Sequence, residues 1–366
     1  MIEMVEELRT LGAANGLTSV GIASAEPFTE ARVEIERRKT LGLHGGMQFT
    51  FRNPARSTEP DRIVSGAQSI VVGARRYGDV IPDAPTDQPY GRAARYAHVD
   101  HYDDLRAGLN VLAERLRDDG YEATVVIDSN ALVDRPAAVR AGLGWLGKNS
   151  LLLLPKEGSW FVIGNVVTNA PLPADGESGG TCGTCNRCLD GCPTGALIEP
   201  GVLDARRCLA WLVQDTADLP REYRIAMGDR VYGCDICQEV CPPNRRDHDE
   251  APAGDAVGPG PWVGLLDLLE ADDEAVMAMA GQWYVPRRGA RYVRRNALVA
   301  LGNAIAAQGS GSSRADSVLL RYIRGADDML ASHAAWAARR MSRDDLCSVD
   351  IAGPLLAAEM AAPLPT

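Results

Sequence analysis

The chain has 366 residues, which predicts two or three domains at roughly 150 residues each. With 46% hydrophobic and 24% charged residues, it has the composition of a soluble globular protein, and its apolar runs fall far short of the ~20 residues of a membrane helix. The net charge of −11 excludes a protein that binds nucleic acid through its whole surface, and an acidic N-terminus without an export signal predicts a cytoplasmic location.

Residues 1–170 have the pattern of a mixed α/β domain. Apolar spacing predicts helices at 3–14, 102–116 and 136–141. Short apolar runs predict strands at 19–23, 70–74, 124–127, 150–154 and 160–167. A stretch rich in Pro, Gly, Asp and Ser at 171–180 predicts a linker after this domain.

A glycine-rich segment, G-L-G-W-L-G-K-N at 142–149, matches the G-x-G-x-x-G pattern of dinucleotide-binding proteins and the G-x4-G-K pattern of P-loops. Both sites need a strand before the loop and a helix after it, whereas the pattern here predicts a helix before and a strand after. Asn149 also stands where a P-loop has its magnesium-binding serine or threonine. The segment is therefore interpreted as a turn that lets the backbone approach a large, flat group.

The cysteines have the most informative spacing in the chain. Eight of the nine lie between residues 182 and 241, and the first four form a C-x2-C-x2-C-x3-C-P run, which is typical of bacterial ferredoxins with two 4Fe-4S clusters. The fourth cysteine of such a run ligates the other cluster. Crossed ligation thus predicts a first cluster on Cys182, Cys185, Cys188 and Cys241. It predicts a second cluster on Cys192, Cys208, Cys234 and Cys237.

Disulfides and zinc sites are the alternative interpretations of the cysteines. Disulfides are disfavoured in a reducing compartment. Two zinc sites would also use eight thiolates, although zinc requires neither the third cysteine of the run nor a repeated C-x3-C-P ending. Cys347 stands apart from the group and is predicted to be a buried thiol on a helix.

The C-terminal part follows a Pro/Gly-rich linker at 251–261 and is rich in alanine and leucine. Two similar helical segments, 294–303 and 332–341, begin 38 residues apart with another predicted helix, 316–324, between them. A repeat near 40 residues predicts HEAT-like helix pairs. The predicted domains are therefore 1–170, 171–250 and 262–366.

Motifs far apart along the chain match one family in the same order. They are D-S-N-A-L-V-D-R-P at 128–136, the glycine-rich segment, G-S-W at 158–160, the cysteine run, D-A-R-R-C at 204–208, R-x-Y-G-C-D-x-C-Q-x-V-C-P at 230–242 and R-R-N-A at 294–297. In these motifs the chain resembles the epoxyqueuosine reductases over nearly its whole length. Many redox proteins share the cysteine run, so the block at 128–149 makes the resemblance specific.

The resemblance implies an enzyme that removes the epoxide oxygen of epoxyqueuosine at the wobble position of tRNA, in the anticodon stem-loop, to give queuosine. It implies two 4Fe-4S clusters and cobalamin as cofactors, an external low-potential electron donor and a monomer. The implied fold is multidomain α/β plus α. A nitroreductase-like α/β domain would bind cobalamin, a bacterial-ferredoxin-type domain would hold the clusters, and the HEAT-like repeats would bind tRNA. No residue pattern by itself indicates cobalamin.

The resemblance also implies roles for single residues. Asp128 matches the proton donor of the family and ends the apolar run at 125–127. Asp134, which also fits an ion pair or a helix cap, is the alternative acid. Positions that line cobalamin in the family match Arg56, Ala94, Arg95, Asp128, Leu152, Ile163 and Asp235. Leu152 and Ile163 are equally well explained as strand core.

An arginine segment, residues 287–295, opposes the acidic net charge locally. Its five arginines, with no acid among them, are Arg287, Arg288, Arg291, Arg294 and Arg295. With Tyr284 and Tyr292 as stacking faces, the segment predicts a tRNA-binding surface, and the alternative is a solvated helix face. Two other functions stay open: a cytoplasmic, dehalogenase-like cobalamin and iron–sulfur reductase of a small molecule, and a non-catalytic two-cluster electron carrier.

Overall fold

The structure is a computed structural model that describes residues 1–77, 81–245, 258, 260–309, 311–348 and 353–363. The predicted linker at 251–261 lies largely outside these residues. The chain divides into two compact units: 1–80, 100–208 and 236–256 form the first, and 81–99, 209–235 and 257–366 form the second. No helix within the described ranges is long and apolar enough to cross a membrane.

Eleven strands are found in the described residues. They are β1 (Ser19–Ser24), β2 (Ser69–Arg76), β3 (Tyr90–Ala93), β4 (Ala123–Ile127), β5 (Trp145–Leu146), β6 (Leu152–Leu153), β7 (Phe161–Thr168), β8 (Leu197–Glu199), β9 (Val202–Leu203), β10 (Arg230–Tyr232) and β11 (Trp262–Gly264). Each strand predicted for residues 1–170 is confirmed within a few residues, although the strand predicted at 150–154 shortens to β6.

Sixteen α-helices are found in the same described residues. They are α1 (Ile2–Ala14), α2 (Thr29–Thr40), α3 (Phe49–Arg52), α4 (Pro54–Ser57), α5 (His101–Asp118), α6 (Asp134–Arg140), α7 (Arg187–Asp190), α8 (Leu209–Leu212), α9 (Arg221–Met227), α10 (Ile236–Glu239), α11 (Leu265–Glu270), α12 (Asp273–Ala280), α13 (Ala290–Gln308), α14 (Ser313–Ile323), α15 (Asp328–Arg340) and α16 (Pro354–Ala361). The three helices predicted in residues 1–170 are α1, α5 and α6.

The first unit is built on a four-stranded antiparallel sheet in the order β1-β2-β7-β4. Successive side chains of a strand point to opposite faces, and helices cover both faces of this sheet. On one face α5 approaches closely, because a Cβ at Gly73 or Gly164 would lie 2.9 or 2.6 Å from the Leu109 side chain. On the other face, Ile70 and Val72 join the apolar core that α6 completes.

The edge of this sheet positions the predicted acid. β4 is the edge strand, and it pairs with β7 up to Ile127, opposite Gly164. Asp128 follows directly after the last paired residue of β4. The cysteine-bearing part of the first unit contains α7, the β8–β9 hairpin and α10, with α7 packed against α10 and β8.

The second unit is mainly helical. Its small sheet has the order β10-β3-β11, with β3 parallel to β10 and antiparallel to β11. α13 is the central helix, packed against α11, α12 and α15, and α15 packs in turn against α14 and α16. The helices predicted at 294–303, 316–324 and 332–341 are confirmed to within one residue at their C-terminal ends. The HEAT-like arrangement and the three consecutive domains stay predictions.

Candidate active site

All nine cysteines are thiols, and none forms a disulfide. In the first unit, Cys182, Cys185, Cys188 and Cys241 lie close enough to interact electrostatically. Burial, and then the three neighbouring thiols, raise the pKa of Cys241 to about 11. Burial, with a smaller contribution from Cys182 and Cys185, also raises the pKa of Cys188. The structure therefore brings together the four thiols predicted for the first cluster.

The cysteines predicted for the second cluster divide between the units. Cys234 belongs to the second unit and packs against its apolar core, and the first unit contains Cys192, Cys208 and Cys237. Cys192 has the surroundings of a thiolate, since the Ala196 backbone N–H donates to its sulfur at 3.2 Å. Burial opposes ionisation, but hydrogen bonds from the Thr194 hydroxyl and nearby backbone N–H groups lower the pKa of Cys192 overall. This thiol fits a metal ligand, which must be deprotonated.

The described residues contain no site for a single metal ion, and Cys347 lies apart from the eight cysteines predicted to bind clusters. Over the described part of the chain, no three or more His, Cys, Asp or Glu side chains are arranged to hold one metal ion. A cubane spreads its ligands over four irons, so the cluster prediction does not depend on such a group. Cys347 is 5% exposed, and its sulfur donates to the Ala335 carbonyl oxygen at 3.8 Å. The prediction of a buried thiol is confirmed.

The glycine-rich segment 142–149 supports the cysteine run. Lys148 Nζ donates to the Gly183 carbonyl oxygen at 2.9 Å and to Asn186 Oδ1 at 2.8 Å. Both partners lie between cysteines of the run, so the ammonium group of Lys148 connects two parts of the loop between Cys182 and Cys188. Its contribution is missed from the sequence because the Gly-Lys pair suggests phosphate binding instead.

The glycines of this segment allow a close approach of protein backbone. A Cβ at Gly144 would lie 2.0 Å from the Leu153 carbonyl oxygen, so only glycine fits beside β6. That the turn also lets the backbone approach a large, flat group stays a prediction. α6 precedes the segment and β6 follows it, which confirms that the order of elements differs from that of a nucleotide-binding loop.

The G-S-W motif at 158–160 contacts the segment 236–245, which carries Cys237 and Cys241. The Ser159 backbone N–H donates to Asn244 Oδ1 at 2.7 Å, and Asn244 Nδ2 donates to Ser159 Oγ at 2.9 Å. Gln238 Nε2 donates to the Ser159 carbonyl oxygen at 3.0 Å. Gln238 and Asn244 were not predicted as site residues. The one feature of the sequence that could have indicated them is that they are close in sequence to Cys237 and Cys241.

Asp128 has an unusual backbone next to an open cavity. Its φ is +42°, in the left-handed region that aspartate and asparagine enter more readily than most residues. Burial raises the pKa of its carboxyl, as a proton donor at neutral pH requires. Its neighbours Ile127 and Ser129 line a cavity of about 400 Å³. A second cavity of about 300 Å³ is lined by Asn130, and Arg56 lines both.

Asp134 is the first residue of α6, but its side chain does not cap the helix. The Asn165 side chain on β7 instead donates from Nδ2 to Asp134 Oδ1 at 2.7 Å. Burial raises the pKa of Asp134 to about 7, with Arg135 opposing and Asp128 adding to the rise. The expected cap is therefore wrong, and the alternative acid is an electrostatic neighbour of Asp128.

The other residues expected at cobalamin are found in both units. In the first, Leu152 and Ile163 belong to, or pack against, the apolar core beside the sheet, in agreement with their interpretation as strand core. In the second, the Arg95 backbone N–H donates to Asp235 Oδ2 at 2.6 Å, next to buried Ala94. These three residues are thus neighbours, and their role at cobalamin stays a prediction.

The arginine segment is only partly open to a ligand. Arg287, Arg288 and Arg291 are exposed. Arg291 pairs with Asp327 at 3.0 Å, whereas Arg287 has no hydrogen bond or ion pair with any described residue. Arg288 donates to main-chain carbonyl oxygens around the end of α12, and Arg294 pairs with Asp273. Among the aromatic residues, Tyr284 is 64% exposed.

Two residues that were predicted to lie on the tRNA-binding surface are buried instead. Arg295 is 0% exposed, and burial lowers its pKa to about 10. Its guanidinium donates to the carbonyl oxygens of Leu212, Val213, Asp215 and Ala217. Tyr292 is 7% exposed, so its ring has no free face. Arg295 therefore holds the fold of the second unit together and is not available to tRNA.

The cysteine region defines the class of protein. Residues 181–244 match the family described as a 4Fe-4S double cluster binding domain. Together with the first-unit thiols, this match makes the chain an iron–sulfur protein of the double-cluster class.

Comparisons along the whole chain identify the family. The epoxyqueuosine reductase of Bacillus anthracis is 35% identical over 301 residues, which cover 79% of this chain and 77% of that protein. The solved structure from Streptococcus thermophilus has a TM-score of 0.87 at 28% identity, covering 97% of this chain and 96% of that one. An epoxyqueuosine reductase solved with an epoxyqueuosine-modified tRNA stem loop has a TM-score of 0.84 at 29% identity, covering 93% and 90%. The chain belongs to the epoxyqueuosine reductase family, which are oxidoreductases.

Proposed function

We propose that the chain reduces epoxyqueuosine at the wobble position of tRNA to queuosine. The proposal is carried by similarity over 93% of the chain to an epoxyqueuosine reductase that was solved with an epoxyqueuosine-modified tRNA stem loop. We further propose that it acts as a cytoplasmic monomer with an external low-potential electron donor.

The reaction determines which groups are needed. Removing the epoxide oxygen as water consumes two electrons and two protons, and it leaves a carbon–carbon double bond. When bound, the clusters supply single electrons and cobalamin supplies a centre that collects them. The first-unit thiols fit the clusters, because four of them interact and Cys192 is stabilised as a thiolate. The eight ligands are those predicted from the spacing.

The first unit also has features that suit cobalamin. Arg56 lines both cavities beside the Asp128 turn, and its guanidinium suits the amide and phosphate groups of such a cofactor. The residues proposed to hold it are Arg56, Ala94, Arg95, Asp128, Leu152, Ile163 and Asp235. Histidine lines neither cavity.

Asp128 is the proposed proton donor. Its carboxyl protonates the oxygen as the carbon–oxygen bond breaks, so that the oxygen does not leave as an alkoxide. Two observations support this role: burial raises its pKa, and its left-handed backbone follows the last rung of the sheet. The proposed donor thus lies on the turn that begins directly after the last paired residue of β4.

The proposed tRNA-binding surface is the exposed part of the arginine segment with Tyr284. Arg287, Arg288 and Arg291 provide exposed positive charge for phosphates, and half-buried Arg294 lies beside them. Tyr284 offers a ring for base stacking. A local surface of this kind is compatible with a net charge of −11, because screening limits charge interactions to about 10 Å.

The test uses chain purified without oxygen, with iron, sulfide, cobalamin and a low-potential reductant added. A tRNA anticodon stem-loop carrying epoxyqueuosine is the substrate. We expect nucleoside mass spectrometry to detect queuosine, with the loss of one oxygen atom, and none without cobalamin. No conversion by a preparation with about eight irons per chain and bound cobalamin would contradict the proposal and favour a small-molecule reductase. Failure to bind cobalamin at all would favour an electron carrier.

A further inference from the structure

Three segments of the first unit meet beside the cysteine run. The Arg38 guanidinium donates to the Gly201 carbonyl oxygen at 3.0 Å, and the Gly201 backbone N–H donates to the Lys148 carbonyl oxygen at 2.9 Å. The end of α2, the glycine-rich segment and the β8–β9 hairpin are therefore joined at one point. Because the Lys148 ammonium group also reaches Gly183 and Asn186, this point adjoins the loop that carries the first three cysteines.

Each of the joined segments exposes one large apolar side chain. Leu41 is 52% exposed, Leu146 is 49% exposed and Ile198 is 40% exposed. Each lies within three residues of a group that makes one of the two joining hydrogen bonds. Single exposed apolar side chains are common on protein surfaces, whereas a group of them in one place marks a site of interaction. These three side chains are named the apolar patch.

The segments that carry the apolar patch and the first cysteines have an excess of positive charge. These segments are 34–43, 143–151, 181–190 and 197–208. Together they contain seven Lys or Arg and five Asp or Glu residues, a net charge of +2 in a chain whose total is −11. Lys39 and Arg187 are exposed and have no ion pair with any described residue. Among the acids, Glu34 pairs with two arginines of α2 and Asp204 is buried.

The thiols predicted for the first cluster are near the surface in this region. Cys182 and Cys185 are half-buried, and the residues between them, Gly183 and Thr184, are exposed. An electron passes between two proteins only over a short distance, so a donor must dock where a cluster approaches the surface. Complexes of electron-transfer proteins are weak and bury little area. A small apolar patch beside free positive charges suits a complex of this kind.

We propose that the apolar patch of Leu41, Leu146 and Ile198, together with Lys39 and Arg187, is the docking surface for a small acidic protein that delivers single electrons to the first cluster. The inference rests on the proposed function, since it specifies the kind of donor that the enzyme uses. In each encounter the reduced carrier loses one electron and the oxidised cluster gains it, and no covalent bond forms or breaks. Opposite charges speed the encounter and orient the two proteins.

The side chains of this docking surface favour a protein over tRNA. None of the three residues of the apolar patch is aromatic, whereas single-stranded loops of RNA are recognised by stacking of their bases on aromatic rings. An apolar centre with polar and charged residues at its rim is the usual arrangement of a protein–protein interface. The exposed ring of Tyr284, in contrast, belongs to the second unit.

The test follows reduction of the clusters, which needs neither cobalamin nor tRNA. Chain reconstituted with iron and sulfide is mixed without oxygen with a reduced plant-type 2Fe-2S ferredoxin, a small acidic protein, and the visible spectra are recorded by stopped flow. Lys39→Glu should lower the second-order rate constant about fivefold at low salt. The difference should vanish in about 1 M salt, where screening extends only about 3 Å. Arg324→Glu, exposed directly after α14, changes the net charge equally and should react as wild type.

Ile198→Asp tests the apolar patch in the same assay. A carboxylate at this position removes apolar contact and repels an acidic partner, so reduction by the ferredoxin should be about tenfold slower or more. Reduction by dithionite should keep the wild-type rate, because a small reductant needs no docking surface. Ile225→Asp, at an equally exposed position on α9 (39%), is the matched control. Iron content equal to that of wild type shows that each variant has kept its clusters.

The inference is overturned if both variants and their controls are reduced at the wild-type rate, or if the ferredoxin does not reduce the wild-type clusters at all. It also falls if Lys39→Glu weakens binding of the tRNA stem-loop, because the surface would then belong to tRNA. The proposed function fails separately. Surface-dependent reduction in a chain that converts no epoxyqueuosine leaves the docking surface in place, whereas conversion with dithionite, without any dependence on this surface, leaves only the proposed function.

Discussion

At the residue scale, the backbone of Asp128 makes one substitution especially informative. Its φ of +42° would strain most side chains. Asparagine enters the left-handed region about as readily as aspartate, so Asp128→Asn removes the acidic proton without adding backbone strain. The variant therefore separates proton donation from folding.

We expect Asp128→Asn to lower turnover about 100-fold or more, because general acid catalysis contributes roughly 10²–10⁴-fold. The absorption spectrum of bound cobalamin should stay that of wild type. Single-turnover conversion of the epoxyqueuosine stem-loop measures the first quantity, and ultraviolet–visible titration measures the second. Near-wild-type turnover would mean that another group, with Asp134 as the first candidate, donates the proton.

Single residues were predictable to different degrees. The cysteine spacing predicts which thiols meet, because short spacers within a run limit where the sulfurs can lie, and the four thiols predicted for the first cluster are found together. The arginines were harder, because a run of charge does not indicate which side of a helix is covered. α13 is buried at most positions, and Arg295 therefore points into carbonyl oxygens instead of solvent. The left-handed φ of Asp128 also has no signature in the sequence.

At the element scale, the cysteine loops are held by side chains from motifs outside them. Lys148 reaches Gly183 and Asn186, and Asn244 reaches Ser159. These hydrogen bonds give a structural role to two motifs that contain no metal ligand, the glycine-rich segment and G-S-W.

We expect Lys148→Met to weaken cluster binding in the first unit. Methionine keeps the length of the side chain but cannot donate the two hydrogen bonds, so the loop between Cys182 and Cys188 becomes less ordered. Iron per chain after anaerobic reconstitution should fall, and the clusters should be lost faster in air. Lys39→Met, at an exposed position on α2, is the matched control. Equal iron content and equal lifetime in both variants would contradict the supporting role.

Helices with one buried apolar face could be predicted from the sequence, whereas a helix without buried residues could not. The leucines of α5 repeat at helical spacing because they cover the sheet, and the helix was found where they predict it. α2 was missed, because none of its residues is buried and its sequence has no apolar stripe. Ion pairs along its surface hold it instead, between Arg32 and Glu36, Arg37 and Glu34, and Arg38 and Glu34.

At the scale of the whole molecule, contacts do not follow chain order. Each compact unit takes three separate segments, whereas sequence patterns predict consecutive domains. In the second unit, β3 pairs with β10 and β11, which come more than a hundred residues later. Short strands of this kind have no local signal for their partners, so the pairing could not be predicted from the sequence.

The net charge of the whole chain leads to a prediction for tRNA binding. The chain carries −11 overall, so affinity for tRNA depends on a few local cations. Arg287→Glu should weaken binding of the modified stem-loop about tenfold and make it less dependent on salt, as expected when a phosphate contact is lost. Arg37→Glu, exposed on α2, changes the net charge equally and should bind as wild type. Fluorescence anisotropy at several salt concentrations measures both, and equal loss in the two variants would contradict a local surface.

The central claim is that this chain itself removes the epoxide oxygen in tRNA. The most direct measurement is made in a bacterium whose own epoxyqueuosine reductase has been deleted, where native electron donors and full-length tRNA are present. Expression of the wild-type chain is expected to replace epoxyqueuosine by queuosine in hydrolysed tRNA, and expression of Asp128→Asn at the same level should leave epoxyqueuosine unchanged. Persistent epoxyqueuosine in cells that contain the iron-loaded wild-type chain, with cobalamin supplied, would contradict the claim.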